Sequence, residues 1–455
     1  MTIMRNNLAN DLAVRLALFS RKNLTYSCKA NIFIFAVYLV RTLYGLFIID
    51  PHSGQDAPSY FEDTKIVLED GPFAQVSYAP IWPIGYTWFL SLIWKIGGLD
   101  SRLLGLTQST LVLLGTFALY HLIKREIGRE IALISAILVS SSFAIFVSAG
   151  EIMYETPMMS LFLIGLNLIS KFSLDESPTK KTIFFAGLAF ALATLIHPSM
   201  LGPVFISLLV VFFRVKKKGK SKIILLMLAS LIVLTGPGMN TFRNYISGDG
   251  LGYTANVYTI SVFSGWGSEY KEKVAECNNL GVKITSPGLI DKDWYYDSTP
   301  RQLCLYRVAL ENPRDSFEVA ISNAVSWVSP YIGVLKSNGT WYHGLDIRRA
   351  VPQYHWWEGR GRLVDTILCS IWIVFHVTLM FYGTYLLFRR KNDLINGDKL
   401  TPYLFVLPVA LKWVTSIFTH GDTRHRIAVS PLYITLIAIA GYFIFQKLRE
   451  KFVKS

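Results

Sequence analysis

Long apolar runs alternate with short polar connections along most of the 455-residue chain. A helix of about 20 apolar residues crosses the roughly 30 Å hydrocarbon core of a bilayer. Ten runs have about this length, at 31–49, 103–122, 131–148, 155–172, 183–197, 199–213, 223–238, 365–388, 401–419 and 427–446. The pattern predicts an all-α polytopic membrane protein with about ten spans.

One further apolar segment, "WPIGYTWFLSLIWKIGG" at 82–98, is predicted to lie at the membrane surface or to re-enter rather than to cross. It is short, and its three tryptophans and one lysine suit the interface between lipid and water. If it crossed, every later basic loop would move to the wrong side of the membrane.

Positive charge sorts the connections into two sets, because loops rich in Lys and Arg face the cytoplasm. The loop "RVKKKGKSK" at 214–222 is the clearest case, and both termini and three more basic loops fall on the same side, at 124–129, 171–181 and 389–399. The other side receives short turns and two long segments. We therefore predict cytoplasmic termini and a chemical site on the extracytoplasmic side.

The long segments divide the chain into three predicted regions. These are an N-terminal transmembrane catalytic module with an outer loop at 50–98, an extracytoplasmic α-rich or mixed subdomain, and a C-terminal set of spans, at 1–238, 239–364 and 365–455.

The composition is typical of a membrane protein and argues against one class of partner, the nucleic acids. Charged residues make up 17% of the chain, below the roughly 25% of soluble proteins. The formal net charge of +14 lies largely in the cytoplasmic loops, so no nucleic-acid partner is expected. The basic N-terminus lacks a small-residue cleavage site before its first apolar run, so we expect no removed signal peptide.

The four cysteines form no CxxC pair, which argues against a zinc or thiol-redox site. Cys277 and Cys304 lie in the long outer segment. In an oxidising compartment they could form a disulfide, and two free thiols are the equal alternative.

The acidic stretch "GQDAPSYFEDTKIVLEDG" follows the first span. Tyr60, Thr64, Val67 and Leu68 share one side at helical spacing, which predicts an amphipathic surface helix whose carboxylates form the wet face. Asp56 precedes this helix. It is either an N-cap or a residue with a chemical role.

Ionisable residues also gather on the outer side of the bundle. Glu155 begins the fourth span, where a charge is costly and often functional. The cations His197, Arg243, Arg424 and Arg426 lie at other outer span ends. Arginines can hold a phosphate through forked hydrogen bonds, and ion pairing with Asp422 or with lipid headgroups is the alternative.

Carboxylates and phosphate-binding cations on one face suit transfer of a sugar from a lipid phosphate. A carboxylate takes a proton from the acceptor hydroxyl as general base, and cations stabilise the departing phosphate. Direct displacement at the anomeric carbon inverts its configuration, in the manner of inverting glycosidases.

The chain resembles the C-type (GT-C) integral-membrane glycosyltransferases, in the bacterial branch near protein O-mannosyltransferases and lipid A aminoarabinose transferases. The resemblance rests on "GQDAPSYFEDTKIVLEDGPF", "YAPIWPIGYTWFLSLIWKIGG", "FAGLAFALATLIHPSMLGP", "GPGMNTFRNYISGDG" and "HGDTRHRIAVSPLYITLIAIAGY". It implies a GT-C helical bundle in a bacterial inner membrane, with a polyprenyl-phosphate-linked sugar as donor and the site facing the periplasm.

The resemblance also implies roles for residues. Asp56 is the expected catalytic base and Glu155 the second outer acid, and the expected donor-phosphate contacts are Arg243, Arg424, Arg426 and His197. His197 and His425 replace the family's usual Arg and Tyr. The Asp-Glu pair of the protein mannosyltransferases is absent, because Ala57 follows Asp56, and this favours a glycan or lipid acceptor over a protein.

Aromatic residues on the outer side are candidates for stacking on sugar rings, with an interfacial belt or a small outer core as the alternative. The candidates are Tyr60, Tyr86, Trp341 and Trp356. No cofactor and no dedicated metal site are expected. A divalent cation, Mg²⁺ or Mn²⁺, would use the paired outer carboxylates.

Two other functions fit parts of the pattern. A cell-surface polysaccharide polymerase or ligase would depend on outer arginines more than on Asp56. A lipid-linked sugar flippase or transporter would place ionisable residues at mid-membrane, often in repeated halves. Arg41 and Lys412 lie within apolar runs, but no internal repeat accompanies them.

Overall fold

The computed structural model describes most of the helical core and parts of the outer segment. The described residues are 31–43, 46, 57–76, 83–98, 101–175, 179–216, 219–247, 276–277, 284–286, 289–290, 304, 307–328, 332–335, 341–345, 362–389, 395–418 and 426–454. Asp56, Arg424 and Trp356 lie outside these ranges, and only the backbone of Trp341 is described.

Helices dominate the described part of the chain. In chain order they are α1 Asn31–Leu43, α2 Ala57–Asp70, α3 Ile84–Gly97, α4 Ser101–Glu126, α5 Arg129–Ser140, α6 Phe143–Gly150, α7 Glu155–Leu174, α8 Lys180–Ile196, α9 Leu201–Val215, α10 Lys220–Ile246, α11 Pro313–Val328, α12 Arg362–Arg389, α13 Thr401–Phe418 and α14 Ser430–Lys454. Short 3₁₀ turns at Pro198–Met200 and Ile427–Val429 precede α9 and α14.

Two small antiparallel hairpins belong to the outer segment. They pair β1 Ile284–Ser286 with β2 Leu289–Ile290, and β3 Ile332–Leu335 with β4 Trp341–Leu345. Since α11 lies between them, the described part of this segment is mixed in secondary structure.

The chain is a multi-pass membrane protein, as the apolar pattern predicts. Helices occupy each of the ten predicted segments. Within the described residues, six helices are long and apolar enough to cross a membrane, and a seventh span results if the bent pair α5 and α6 is counted as one. The segment at 82–98 forms the 14-residue helix α3, too short at about 1.5 Å per residue to cross a bilayer.

The bundle core is built by contacts both between consecutive helices and between helices that are distant in sequence. α7 packs against α4 and α8, α8 packs against α10, and α14 packs against α5 and α12. We call the end of the bundle at which α7 begins and α10 ends the site end, and the end at which α4 and α9 finish the opposite end.

The structure of α2 differs in part from the predicted amphipathic surface helix. Its buried side chains include Tyr60, Asp63, Thr64 and Val67, whereas Leu68 is exposed. The buried stripe therefore turns toward the site end with a carboxylate in it, at positions i, i+3, i+4 and i+7. Asp63 does not belong to the wet face.

A buried ionic network closes the opposite end. The two guanidinium nitrogens Nη1 and Nη2 of Arg214 donate to the carboxylate of Glu126 at 2.6 and 3.0 Å. Nε of Arg214 lies 2.9 Å from Oδ1 of Asp398, and Oγ1 of Thr401 donates to Glu126 at 2.6 Å. α4, α9 and the start of α13 are thereby joined by Arg214 and its two carboxylate partners.

Cys277 and Cys304 form a disulfide, with their Cα atoms 5.6 Å apart. Of the two alternatives that the sequence leaves open, the structure has the bonded one.

Candidate functional site

Four aromatic rings from different elements meet at the site end. Tyr60 of α2 lies edge-on to Tyr86 of α3, with ring centroids 4.8 Å apart, and 6.1 Å from Tyr154. Tyr154 in turn stacks on His197 at 4.4 Å with the planes 9° apart. We call these residues the aromatic cluster. Through this cluster the outer helices α2 and α3 contact the start of α7 and the end of α8.

Tyr86 is held by a polar network under the aromatic cluster. Its hydroxyl donates to Oε1 of Gln108 at 3.0 Å, and Nε2 of Gln108 donates to the carbonyl of Glu151 at 2.7 Å. Burial raises the pKa of the Tyr86 phenol well above its ordinary value, and the negative charges of Glu155 and Glu151 add to this effect. Tyr86 is therefore a hydrogen-bond donor at neutral pH.

Glu155 is the first residue of α7 and is fully buried. A helix N-terminus favours a carboxylate, because the unpaired N–H groups there carry partial positive charge. The ammonium group of Lys412, 5% exposed on α13, lies close enough to Glu155 for an electrostatic interaction. The structure thus brings the predicted second acid together with a lysine that sequence reasoning did not assign to the site.

His197 forms the junction of α8 with the 3₁₀ turn before α9 and is 2% exposed. Its Nδ1 accepts a hydrogen bond from the backbone N–H of Ser199 at 3.2 Å and lies 2.8 Å from the Ser199 hydroxyl. Since Nδ1 is an acceptor, the proton of the neutral ring is on Nε2. His197 can therefore act as a donor through Nε2.

Arg243 lies on α10, which continues to Ile246 and so extends beyond the predicted end of that span at 238. The guanidinium is fully buried and donates to the carbonyl of Ala74, in the connection after α2, and to Oδ1 of Asn244. One turn earlier, Oδ1 of Asn240 accepts from the backbone N–H of Ile84 at 3.0 Å. Arg243 anchors the outer helices to α10, and its contact with a donor phosphate stays a prediction.

Arg426 lies just before the turn Ile427–Val429, and this turn packs against α7. Its guanidinium carbon is 5.2 Å from the ring centroid of Tyr433 and 5.9 Å from that of Trp327. A cation over aromatic faces is stabilised by their quadrupoles. The arginine that the sequence places in a phosphate role is thus held between α14 and the outer helix α11.

The described part of the site holds six of the predicted residues. Glu155, His197, Tyr60 and Tyr86 lie together, while Arg243 lies near the end of α10 and Arg426 precedes the turn before α14. The predicted roles of Asp56, Arg424, Trp341 and Trp356 stay predictions.

Several residues of the site were missed by sequence reasoning, among them Lys412, Asp63, Tyr154 and Gln108. A signal for Lys412 was its place inside an apolar run. A signal for Asp63 was its spacing of three residues from Tyr60, which puts both on one helix face.

No group of three or more His, Cys, Asp or Glu side chains suited to a metal ion occurs among the residues that the structure describes.

Three comparisons with known proteins bear on the fold. Residues 82–237, about a third of the chain, match the family model for dolichyl-phosphate-mannose-protein mannosyltransferases. No curated protein sequence matches the chain.

Among solved structures, the oligosaccharyltransferase of Archaeoglobus fulgidus in its apo form is similar over 92% of this chain and 51% of its own, with 12% identity and a TM-score of 0.51. The chain spans about half the length of that protein. ArnT of Cupriavidus metallidurans bound to undecaprenyl phosphate matches over 90% of this chain and 77% of its own, with 12% identity and a TM-score of 0.41.

Proposed function

We propose, on the premise that the chain has the fold of the GT-C integral-membrane glycosyltransferases, that it transfers one sugar from a polyprenyl-phosphate carrier to a hydroxyl of a glycan or lipid acceptor. The description of the matching family names a sugar donor of this kind, a mannose on a lipid phosphate. The identity of the sugar is left to experiment.

One observation carries the proposal. At the site end a fully buried carboxylate, Glu155, lies within electrostatic range of the buried ammonium of Lys412 and beside the aromatic cluster. Charged groups at the border of a membrane are costly and mark functional sites. Rings and hydrogen-bond donors beside such charges suit a ligand that is both a sugar and a phosphate.

Asp56 is the proposed general base. It precedes Ala57, the first residue of α2, and the first turn of α2 is buried against the site through Ala57 and Tyr60. This supports a position for the Asp56 carboxylate next to the cluster. Glu155 is the proposed second acid, which orients the reacting groups.

The reaction balances without a cofactor. Asp56 takes the proton of the acceptor hydroxyl while that oxygen forms a bond to the anomeric carbon of the sugar. The bond from this carbon to the phosphate oxygen breaks, and the polyprenyl phosphate leaves with the electron pair. Arg426, together with Arg424, stabilises the charge that develops on the phosphate. Attack opposite the leaving group inverts the anomeric configuration.

The extracytoplasmic side is the proposed location of this site. The basic loops of the sequence lie at the opposite end, where positive charge favours the cytoplasm. The disulfide between Cys277 and Cys304 belongs to the segment on the site side and suits an oxidising compartment. A bacterial inner membrane with the site facing the periplasm is consistent with the position of the basic loops and with the disulfide.

The transporter alternative loses its main support. Arg41 donates to the carbonyl of Ser140 and lies 5.3 Å from the ring centroid of Phe146. This carbonyl is at the break between α5 and α6, where helical hydrogen bonds end. Arg41 therefore has a local structural role, and Lys412 belongs to the site.

The test is mass spectrometry of surface glycans and outer lipids from the source organism, in wild type, a deletion strain, and the deletion strain carrying Asp56→Asn. We expect one defined sugar mass to be missing in the deletion strain and in the Asp56→Asn strain, with the variant protein present in the membrane. An unchanged profile in the deletion strain would contradict sugar transfer, and full restoration by Asp56→Asn would reduce Asp56 to a helix cap.

A further inference from the structure

Helix α11 of the outer segment inserts a tryptophan into the transmembrane core. Trp327 is fully buried, stacks on Trp413 of α13 with ring centroids 6.3 Å apart, and lies edge-on to Tyr433 of α14 at 6.0 Å. The indole N–H of Trp413 donates to the carbonyl of Ala324 at 3.3 Å. The contact of α11 with the bundle thus has an aromatic core and a hydrogen bond of its own.

Arg426 closes this aromatic box. It is 9% exposed, and its guanidinium carbon lies over the rings of both Trp327 and Tyr433. The same arginine is the proposed phosphate contact. An anion held by Arg426 would therefore lie beside these two rings.

Two of those polar atoms have no hydrogen-bond partner in the described part of the protein: Nε1 of Trp327 and the hydroxyl of Tyr433. Buried polar groups are nearly always bonded, so such a group calls for a specific explanation. For Tyr433 packing alone does not supply it, because a phenylalanine would fill the same place without an unbonded polar atom. Trp413 differs, since its N–H is bonded within the protein.

We propose that Trp327 and Tyr433 complete the donor-phosphate site around Arg426, with the indole N–H and the phenol O–H donating to phosphate oxygens. The inference rests on the proposed function and adds two binding residues to it. The guanidinium and the indole nitrogen are donors only, and a phosphate offers several charged acceptor oxygens. Among these three groups, a sugar hydroxyl would find only the phenol oxygen of Tyr433 as an acceptor.

The proposal gives the outer segment a part in donor binding. α11 lies between the hairpins of that segment, and its last turn holds Trp327. The donor would therefore be held jointly by the outer segment and the last span, so that its phosphate bridges two parts of the chain that are about a hundred residues apart.

The experiment measures the affinity of the purified full-length protein in nanodiscs for undecaprenyl phosphate, which carries no sugar. Tyr433→Phe removes one donor and keeps the ring, whereas Trp327→Phe removes one donor and replaces the indole with a smaller phenyl ring. We expect each to weaken binding about tenfold, as the loss of a hydrogen bond to a charged group does.

Two matched controls remove the same atoms elsewhere. Trp413→Phe deletes an indole N–H in the same aromatic contact, but one that the protein itself uses. Tyr120→Phe deletes another buried hydroxyl without a partner in the described structure, on the half of α4 toward the opposite end. Both controls should bind undecaprenyl phosphate like the wild type.

Wild-type affinity in both Trp327→Phe and Tyr433→Phe would overturn the proposal, and so would an equal loss in Trp413→Phe, which would reduce Trp327 to an anchor for α11. If Trp327→Phe does not fold, Tyr433→Phe decides, because it deletes one oxygen and leaves α11 unchanged. A wild-type protein that binds no undecaprenyl phosphate would contradict the proposed function itself. Wild-type binding with unchanged variants would contradict this inference alone.

Discussion

Glu155 and Lys412 are two buried charges of opposite sign at the site end. Removing one of them leaves the other buried without its electrostatic partner, whereas replacing both with neutral groups is often close to neutral. The effect of these two residues on the free energy of unfolding can therefore be measured separately from their effect on catalysis.

We predict that Glu155→Gln and Lys412→Met each lower the free energy of unfolding by about 1–2 kcal/mol, the size of a Coulomb interaction beyond contact distance, and that the double variant recovers most of the loss without recovering sugar transfer. Thermal unfolding in detergent, read alongside transfer activity, measures both effects. Additive losses in the double variant would show that the two side chains are not coupled.

At the residue scale, the sequence predicted which types of residue gather at the site but not how they are paired. Glu155 was found because it begins an apolar run. Lys412 was noticed as an ionisable residue but not connected to Glu155, since nothing in the sequence links two helices so far apart. Asp63 was assigned to the wet face with the other carboxylates of this stretch, because they fall largely outside the side chosen at helical spacing. The buried stripe that includes Asp63 appears only when α2 is packed.

The close approach of α8 and α10 depends on glycines, and Gly236 is the tightest position. A Cβ atom at Gly236 would lie 2.3 Å from the carbonyl oxygen of Ala191 and 2.4 Å from Oγ1 of Thr194, whereas one at Gly238 would meet nothing within 4 Å. These two positions of one helix form a natural pair for testing the packing.

We predict that Gly236→Ala lowers the free energy of unfolding by about 1–3 kcal/mol through overpacking, while Gly238→Ala is neutral or gains up to about 1 kcal/mol from helix propensity. Thermal unfolding of both purified variants checks the difference. Equal stability of the two would contradict the packing of α8 against α10.

The network at the opposite end holds three helical elements through Glu126 and Arg214. We predict that Arg214→Leu lowers the free energy of unfolding by about 3–5 kcal/mol, because the buried Glu126 carboxylate loses its partner. The control is Lys216→Ala. Lys216 is an exposed basic residue two positions further along the chain, so its replacement should change the stability little. A melting temperature of Arg214→Leu equal to that of the control would show that the network is not stabilising.

At the scale of elements, apolar periodicity was sufficient to place the helices, and two boundaries show its limit. The break between α5 and α6 falls inside the predicted span 131–148. It was not predicted, because "SSS" at 140–142 carries no strong signal for the end of a helix. α10 continues past Pro237 because Asn240 and Arg243 are bonded to the outer helices, a contact that local sequence does not reveal. Glu126 and Arg214 are 88 residues apart, so their network was not foreseen.

For the whole molecule, the resemblance to the GT-C fold is confirmed, and the multi-pass helical architecture agrees with it. The apolar runs and the order of short motifs were enough for this prediction. The arrangement at the site end depends on packing between helices, and therefore required the structure.

The disulfide gives a prediction for the entire chain, which has four cysteines. Under denaturing, non-reducing conditions a maleimide should label two thiols, those of Cys28 and Cys369, and all four after reduction, because Cys277 and Cys304 are bonded. Intact mass spectrometry of protein from the native membrane counts the labels. Four labels before reduction would contradict the disulfide and remove one support for the extracytoplasmic side.

The central claim, that Asp56 is the base of a sugar transfer from a polyprenyl phosphate, is tested most directly by comparing donor binding and turnover in purified Asp56→Asn. Glu62→Gln, an exposed acid in the same stretch that pairs with Lys65, is the control. With the sugar donor identified from the deletion strain, we predict wild-type binding of undecaprenyl phosphate by both variants, and a loss of turnover of about 100-fold or more in Asp56→Asn alone. Wild-type turnover by Asp56→Asn would contradict the account.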